Sequence, residues 1–330
     1  MSFIDPTTGT AQMFQPEVVT FGETMGCMIP TSAKGIEYSP YMHLLFGGAE
    51  SNVAIGLSRL GHRAGWFSLL GSDPIGRKIF KAVRGEGVDV SRVRWTTEAN
   101  TGLMLREIVS GRTSVYYYRR LSAASLLQPA DLDEEYIKQA RILHVTGITP
   151  ALSDSCRETA FAAMRMARRH GVKVCFDPNL RLKLWRLEEA RNVLLAMAEE
   201  ADYFLPGLDE LKLLYETEDF DRILKRLNRL SAVSVIKGGD RESLLVEHGV
   251  VTSVPYFHVP EEKIVDPVGA GDGFCAGFIS GLLKGYTHEE AVRLGNLVGS
   301  MVIQFEGDWE GAPTWDQVQA VLNNAKHIER

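Results

Sequence analysis

Residues 265–274 read VDPVGAGDGF, with three glycines and two aspartates ahead of an apolar run, FCAGFISGLL. Glycine is costly inside a helix or strand, so such a cluster marks a place where the backbone itself must come close to something. A glycine-rich turn that opens a helix presents unpaired N–H groups and the positive end of the helix dipole, and together these form a site for an anion. Asp272, at the end of the turn, does not attract an anion. Beside a phosphoryl group in transfer, its carboxylate is suited to take the proton of an attacking hydroxyl. The plainer alternative is that Asp272 caps a buried helix. Spacing excludes two nucleotide-binding patterns: GxGxxG would need glycine where Phe274 stands, and GxxxxGK[ST] occurs nowhere in the chain.

Two arginines stand where they could meet an anionic small molecule, should one bind. DPNLR (177–181) follows an apolar run, so Arg181 is expected just past the carboxyl end of a strand, where open α/β sheets bind ligands. Arg119 ends the aromatic run Tyr116–Tyr118. An arginine offers a planar, two-pronged match to a carboxylate. The competing reading packs those tyrosines in a strand and leaves Arg119 solvated. A histidine-ligated metal site finds no support, because the eight histidines lack ligand spacing and His144 reads as a structural strand-end residue. Cys27, Cys156, Cys175 and Cys275 show no CxxC pattern, which fits reduced thiols in a cytoplasm.

The elements that must position these groups follow from periodicity. After Gly47-Gly48, AESNVAIGLSRLG (49–61) reads as a helix closed by Gly61, and PIGRKIFKAVRGEG (74–87) as a second with Pro near its start. EVVTFGE (17–23), AGWFSLLG (64–71), ILHVTG (142–147), VKVCFDP (172–178), ADYFLP (201–206) and VSVIKGG (233–239) read as buried strands. Helical stretches at 154–171 and 187–201 separate several of them. This alternation predicts a mainly parallel sheet covered by helices on both faces. Residues 25–46 and 101–120 break the pattern, the second as a hairpin turning at Ser110-Gly111, and are expected to form a small β-sheet lid. Residues 1–15 are expected to be a disordered leader, and 16–330 one domain.

Of 330 residues, 45% are hydrophobic and 24% charged, as in a soluble globular protein. The net charge of −6 argues against a general nucleic-acid binder. The start of the chain has no signal-peptide pattern, and no apolar run reaches the roughly 18–20 residues of a membrane span. A cytoplasmic protein with no membrane or nucleic-acid partner is therefore expected.

The paired motifs resemble one family. DPVGAGD (266–272) is similar to the DTxGAGD-type signature of the ribokinase-like (PfkB) carbohydrate kinases, with Pro267 and Val268 in place of the usual small polar pair. GGAESNVAIGLSRLG (47–61) is similar to their N-terminal signature, and GSDPIGRKI (71–79) follows in the expected place. The resemblance spans about residues 17–320 and implies a three-layer α/β/α fold with a β lid. Within the family, TGLMLRE (101–107), VYYYRRLSAAS (115–125), DPNLRLKLW (177–185) and EGDWEGAP (306–313) look most like the branch that phosphorylates 2-keto-3-deoxygluconate.

The resemblance implies ATP as phosphoryl donor, Mg²⁺ on its phosphates, an acid sugar as acceptor, a monovalent cation near Asp266 and a homo-oligomer. It implies Asp272 as the base and the amides of Gly269, Ala270 and Gly271 as the anion hole. Gly47, Gly48, Asn52, Tyr117, Tyr118, Arg119 and Arg181 would contact the sugar. Lys237, Gly238 and Gly239 would lie beside ATP, although a Gly-Gly turn equally joins two strands as plain structure. Asn296 would lie near the adenine, and an Asn buried on an apolar helix needs a hydrogen-bonding partner. Glu210 keeps the acid of a family NxxE tied to magnesium, but Gly207 stands where Asn is usual. The alternatives are a kinase of fructose or another keto sugar, and a sugar-binding protein without catalysis.

Overall fold

In the computed structural model, residues 2–4, 11–110, 112–238 and 242–328 are described. The uninterrupted apolar runs form an eight-stranded sheet in the order Val250–Pro255, Glu242–Glu247, Val233–Ile236, Tyr203–Phe204, Lys173–Asp177, Ile142–Thr146, Val18–Phe21, Ala64–Phe67. The six strands from Val233–Ile236 onward are parallel, and the two at the other edge are antiparallel. Alternate residues feed opposite faces. Val18, Cys175 and Val235 join one apolar cluster, whereas Val19, Leu143 and Phe176 join the other. A sheet buried on both sides reads as continuous hydrophobic sequence for this reason.

The carboxyl ends of the parallel strands bring Glu23, Asn179, Arg181, Gly207 and Lys237 to one end of the sheet. Over that end lies a separate four-stranded sheet in the order Arg112–Tyr118, Leu103–Val109, Met25–Pro30, Met42–Gly47. This is the expected lid. Its inner face carries Met25, Cys27, Ile29 and Met104 with Val115 and Tyr117. At the hairpin tip Ser110 has φ 51°, and Gly111 lies outside the described residues.

Three expectations change. The stretch 64–71 is two strands, because the chain leaves the main sheet at Ser68 and Leu69–Gly71 pairs with Arg94–Thr96. The strand at 201–206 is only Tyr203–Phe204. In the leader, Ser2–Ile4 pairs antiparallel with Ala11–Met13, where no regular structure was expected. No helix among the described residues is long and apolar enough to cross a membrane.

Small residues set the helix packing near the site. On the helix Ala270–Leu283, a Cβ at Gly277 would press on Leu294 and Gly295, and one at Gly281 on Ala291. The neighbouring helix His288–Val302 therefore approaches at backbone distance.

Candidate active site

Gly269 is the N-cap of the helix Ala270–Leu283 with φ 83°, and a Cβ there would collide with the carbonyl of Asp308. Both constraints select glycine. The first helical bond runs from the Gly273 N–H to Gly269 O at 2.8 Å, so the N–H groups of Gly271 and Asp272 precede the helical ladder. Gly269 and Gly271 line a cleft of about 440 Å³ between sheet and lid. Ala270 does not. Its N–H points back toward Pro267 O at 3.4 Å, because successive residues of a helical turn face different ways. The expected three-amide anion hole is thus reduced at Ala270.

Asp272 is the third residue of the helix and caps nothing. Half-buried in the cleft, its Oδ2 accepts a hydrogen bond from Asn52 Nδ2 at 2.8 Å. The pairing follows from helix geometry. Gly56 on Ala49–Arg59 approaches Ala276 so closely that an added Cβ would sit 2.8 Å from the alanine methyl. Asn52 and Asp272 each lie four residues earlier, on the same helix faces. Burial pushes the Asp272 carboxyl up to about 7; the charges of Asp177 and Asp308 add to this, and Asn52 and Arg181 oppose it. Asn52, expected to hold sugar hydroxyls, lines the cleft and orients the acid.

On the lid side, Gly47 and Gly48 line the cleft. A side chain at Gly47 would overlap the Asp308 carboxylate, and one at Gly48 the backbone of Glu23 and Thr24. Tyr117 faces in, but Tyr118 is 65% exposed and does not line the cleft, since neighbouring strand residues point to opposite faces. That corrects Tyr118 as a sugar contact. Arg119 is buried over the Tyr117 ring, and its Nε donates to Glu23 Oε2 at 2.6 Å while Nη2 pairs with the same oxygen. The Ser122 hydroxyl holds the other oxygen of Glu23. Arg119 is therefore neither solvated nor the free cation an acid substrate would need. Arg181 is exposed, lines the cleft and makes no ion pair among the described residues.

On the opposite wall, Lys237 Nζ donates to Asp177 Oδ2 at 2.7 Å and would lie 3.8 Å from a Cβ at Gly271. Although burial disfavours its charge, the Asp177 carboxylate keeps the Lys237 pKa raised. Gly238 turns with φ 84° and donates its N–H to Tyr256 Oη; it does not line the cleft, and Gly239 lies outside the described residues. The polar atoms of Asn296, expected near the adenine, are held within the protein: Nδ2 donates to Val254 O and Pro255 O at 3.1 Å each, and Oδ1 accepts from Ser243 Oγ at 2.7 Å. Its polar atoms tie a helix to the sheet edge, away from the cleft. Glu210 does line the cleft. Its oxygens accept from the Leu180 and Gly207 N–H groups at 2.6 Å, which pins the loop carrying Arg181, and burial pushes its carboxyl up.

Four charged cleft residues were not singled out from sequence, namely Glu23, Asp177, Arg106 and Asp308. The buried Arg106 guanidinium pairs through Nη2 with Asp266 at 2.9 Å and through Nη1 with Asp308 at 2.8 Å. The monovalent cation expected near Asp266 meets a protein cation there. Asp177, Arg106 and Asp308 lay inside the family-like stretches DPNLR, TGLMLRE and EGDWEGAP, whereas Glu23 ends the first apolar strand run EVVTFGE.

The sequence pattern of the pfkB family carbohydrate kinases matches residues 15–315. The chain is 36% identical over 321 residues to a 2-dehydro-3-deoxygluconokinase of Bacillus subtilis, covering 95% of this chain and 98% of that one. It is 33% identical over 315 residues to a 2-dehydro-3-deoxygalactonokinase of Haloferax volcanii, covering 93% and 96%. The crystal structure of a PfkB protein from Polaromonas sp. JS666 superposes with a TM-score of 0.84 at 36% identity, over 92% of this chain and 99% of that one.

Proposed function

The chain belongs to the PfkB family of carbohydrate kinases and has their ribokinase-like fold, and on that premise we propose that it transfers the γ-phosphoryl group of ATP to a hydroxyl of 2-keto-3-deoxygluconate. The observation that carries the reading is one cleft in which a carboxylate, a glycine-rich turn and an uncommitted arginine converge: Asp272, the 269–271 turn and Arg181.

Asp272 takes the proton of the attacking hydroxyl while Asn52 holds the carboxylate in place. A pKa of about 7 lets the group be ionised near neutral pH and still bind a proton during transfer. The turn amides and Lys237 steady the transferring group, and Asp177 keeps Lys237 from swinging away. Among the described residues no cluster of three His, Cys, Asp or Glu could hold a metal alone. Magnesium needs only one or two carboxylates beside substrate phosphates, and Asp177 and Glu210 line the cleft. When bound, Mg²⁺ supplies neutralisation of the phosphate charge.

The acid end of the sugar needs a cation in a protein of net charge −6. Arg181 meets that need, and Arg119, already neutralised by Glu23, shapes the sugar side through its remaining edge. The test is ADP release across 2-keto-3-deoxygluconate, its galactonate epimer and fructose. The acid sugars should turn over faster than fructose, and Arg181→Ala should cost them roughly ten- to a hundredfold in kcat/KM while largely sparing fructose. Outright preference of the wild type for fructose would remove the acid-sugar assignment and leave the kinase family standing.

A further inference from the structure

Arg106 sits on the lid strand Leu103–Val109, and its guanidinium is 3% exposed. Lid alternation points it inward with Met104, toward two loops far away in sequence. Asp266 opens the DPVGAGD turn. Its Oδ1 accepts from the Val268 N–H at 3.1 Å, and Oδ2 accepts from Gly307 N and pairs with Arg106. Asp308 lies in the loop whose carbonyl backs Gly269 and whose carboxylate fills the space left by Gly47. One guanidinium thus joins the lid to both walls of the anion-binding turn. Either carboxylate would be a buried, uncompensated charge without it, which is strongly unfavourable.

We propose that Arg106 is the positioning residue of the 269–271 turn and stands, as a built-in cation, where the sequence resemblance implied a monovalent metal ion, so that turnover requires no such ion. The two ion pairs take up the inner oxygens of both aspartates, and an alkali ion at Asp266 would have to displace the guanidinium or lie against it. The lid can then dock only when its own charge completes the turn. This rests on the kinase reading but not on the identity of the sugar, so rates are measured on whichever sugar the wild type turns over best.

The experiment has two arms. Wild-type ADP release in potassium, sodium and tetramethylammonium chloride at equal ionic strength should agree within about twofold, on the scale of weak, screened ionic effects. Activation of about tenfold or more by potassium over tetramethylammonium overturns the proposal. Arg106→Ala and Arg106→Lys are then compared, with thermal unfolding to confirm that each is folded. Arg106→Ala should lose about tenfold or more in kcat, as expected for displaced catalytic geometry. It should recover part of that with guanidinium ion at non-denaturing concentrations, which should also raise its melting temperature. A purely structural side chain would show no such specific rescue. Arg106→Lys keeps the charge but cannot span both carboxylates, so its kcat should fall between the two and provides the reading if the alanine variant does not fold. Wild-type kcat in either folded variant, or a folded alanine variant that guanidinium does not rescue, refutes the assignment.

Discussion

Asp272 combines two properties that favour base catalysis, a fixed orientation from Asn52 and a carboxyl that burial pushes up to about 7. Asp272→Asn keeps the shape and removes only the proton acceptor, so kcat should fall by at least about a hundredfold with little change in ATP or sugar affinity. A variant with near-normal turnover would show that the carboxylate is not the base. The base works only when ionised, so kcat/KM should fall as pH drops through about 7 and level off above it. Absence of an acid limb near that pH in the wild type would separate Asp272 from the chemistry. The two arginines part company at this scale as well. Arg119→Ala leaves Glu23 buried without its partner and should lower stability and impair acid and neutral sugars alike, whereas Arg181→Ala should act on the acid sugar alone. Equal proportional losses from both variants on both substrates would show that neither reads the carboxylate.

At the scale of elements, the start of the helix Ala270–Leu283 depends on two glycines for different reasons. Gly269 needs its φ of 83° and the empty space against the Asp308 carbonyl, so Gly269→Ala should lower the melting temperature and abolish most activity. Gly271 has no positive φ, and a Cβ there would meet only Lys237 Nζ at ordinary contact distance. Gly271→Ala should therefore melt like the wild type while its kcat falls, because the methyl group stands in the cleft beside the amides. Thermal unfolding run alongside ADP release checks the pair. Similar melting temperatures for the two variants would contradict the strain assigned to Gly269. The same helix shows why its sequence is rich in small residues: Gly273, Gly277 and Gly281 admit the helix His288–Val302 along one face, while Ala276 meets Gly56 on another.

At the scale of the molecule, the two large apolar clusters share the main sheet, one on each face, so neither can be exposed without the other. The lid has only a small cluster of its own around Met25, Cys27, Ile29 and Met104. Heat should thus unfold the chain in one cooperative step. ATP with the preferred sugar, each at about a hundredfold its Kd, should add roughly 2.7 kcal/mol per site and move that step upward together with the lid. Two well-separated calorimetric transitions would show that lid and sheet are independent units.

Local chemistry made much of this protein legible from sequence alone. Continuous apolar runs identify the strands because a sheet buried on both faces leaves no polar alternation, and Gly61 and the Gly269–Gly271 turn mark helix ends through backbone demands that few other residues meet. Residue type together with the family resemblance put Asp272, Arg119 and Arg181 on the short list. Which of their charges remains available was decided by partners brought from elsewhere in the chain. Arg119 meets Glu23 from 96 residues away, Arg106 meets Asp308 from 202, and Asn52 meets Asp272 from 220. Asn296 likewise found its partners at a sheet edge and not in the cleft. A sequence reports which groups can carry charge or donate a proton, but pairing depends on distance in space, and only the packing of helices and lid onto the sheet sets those distances.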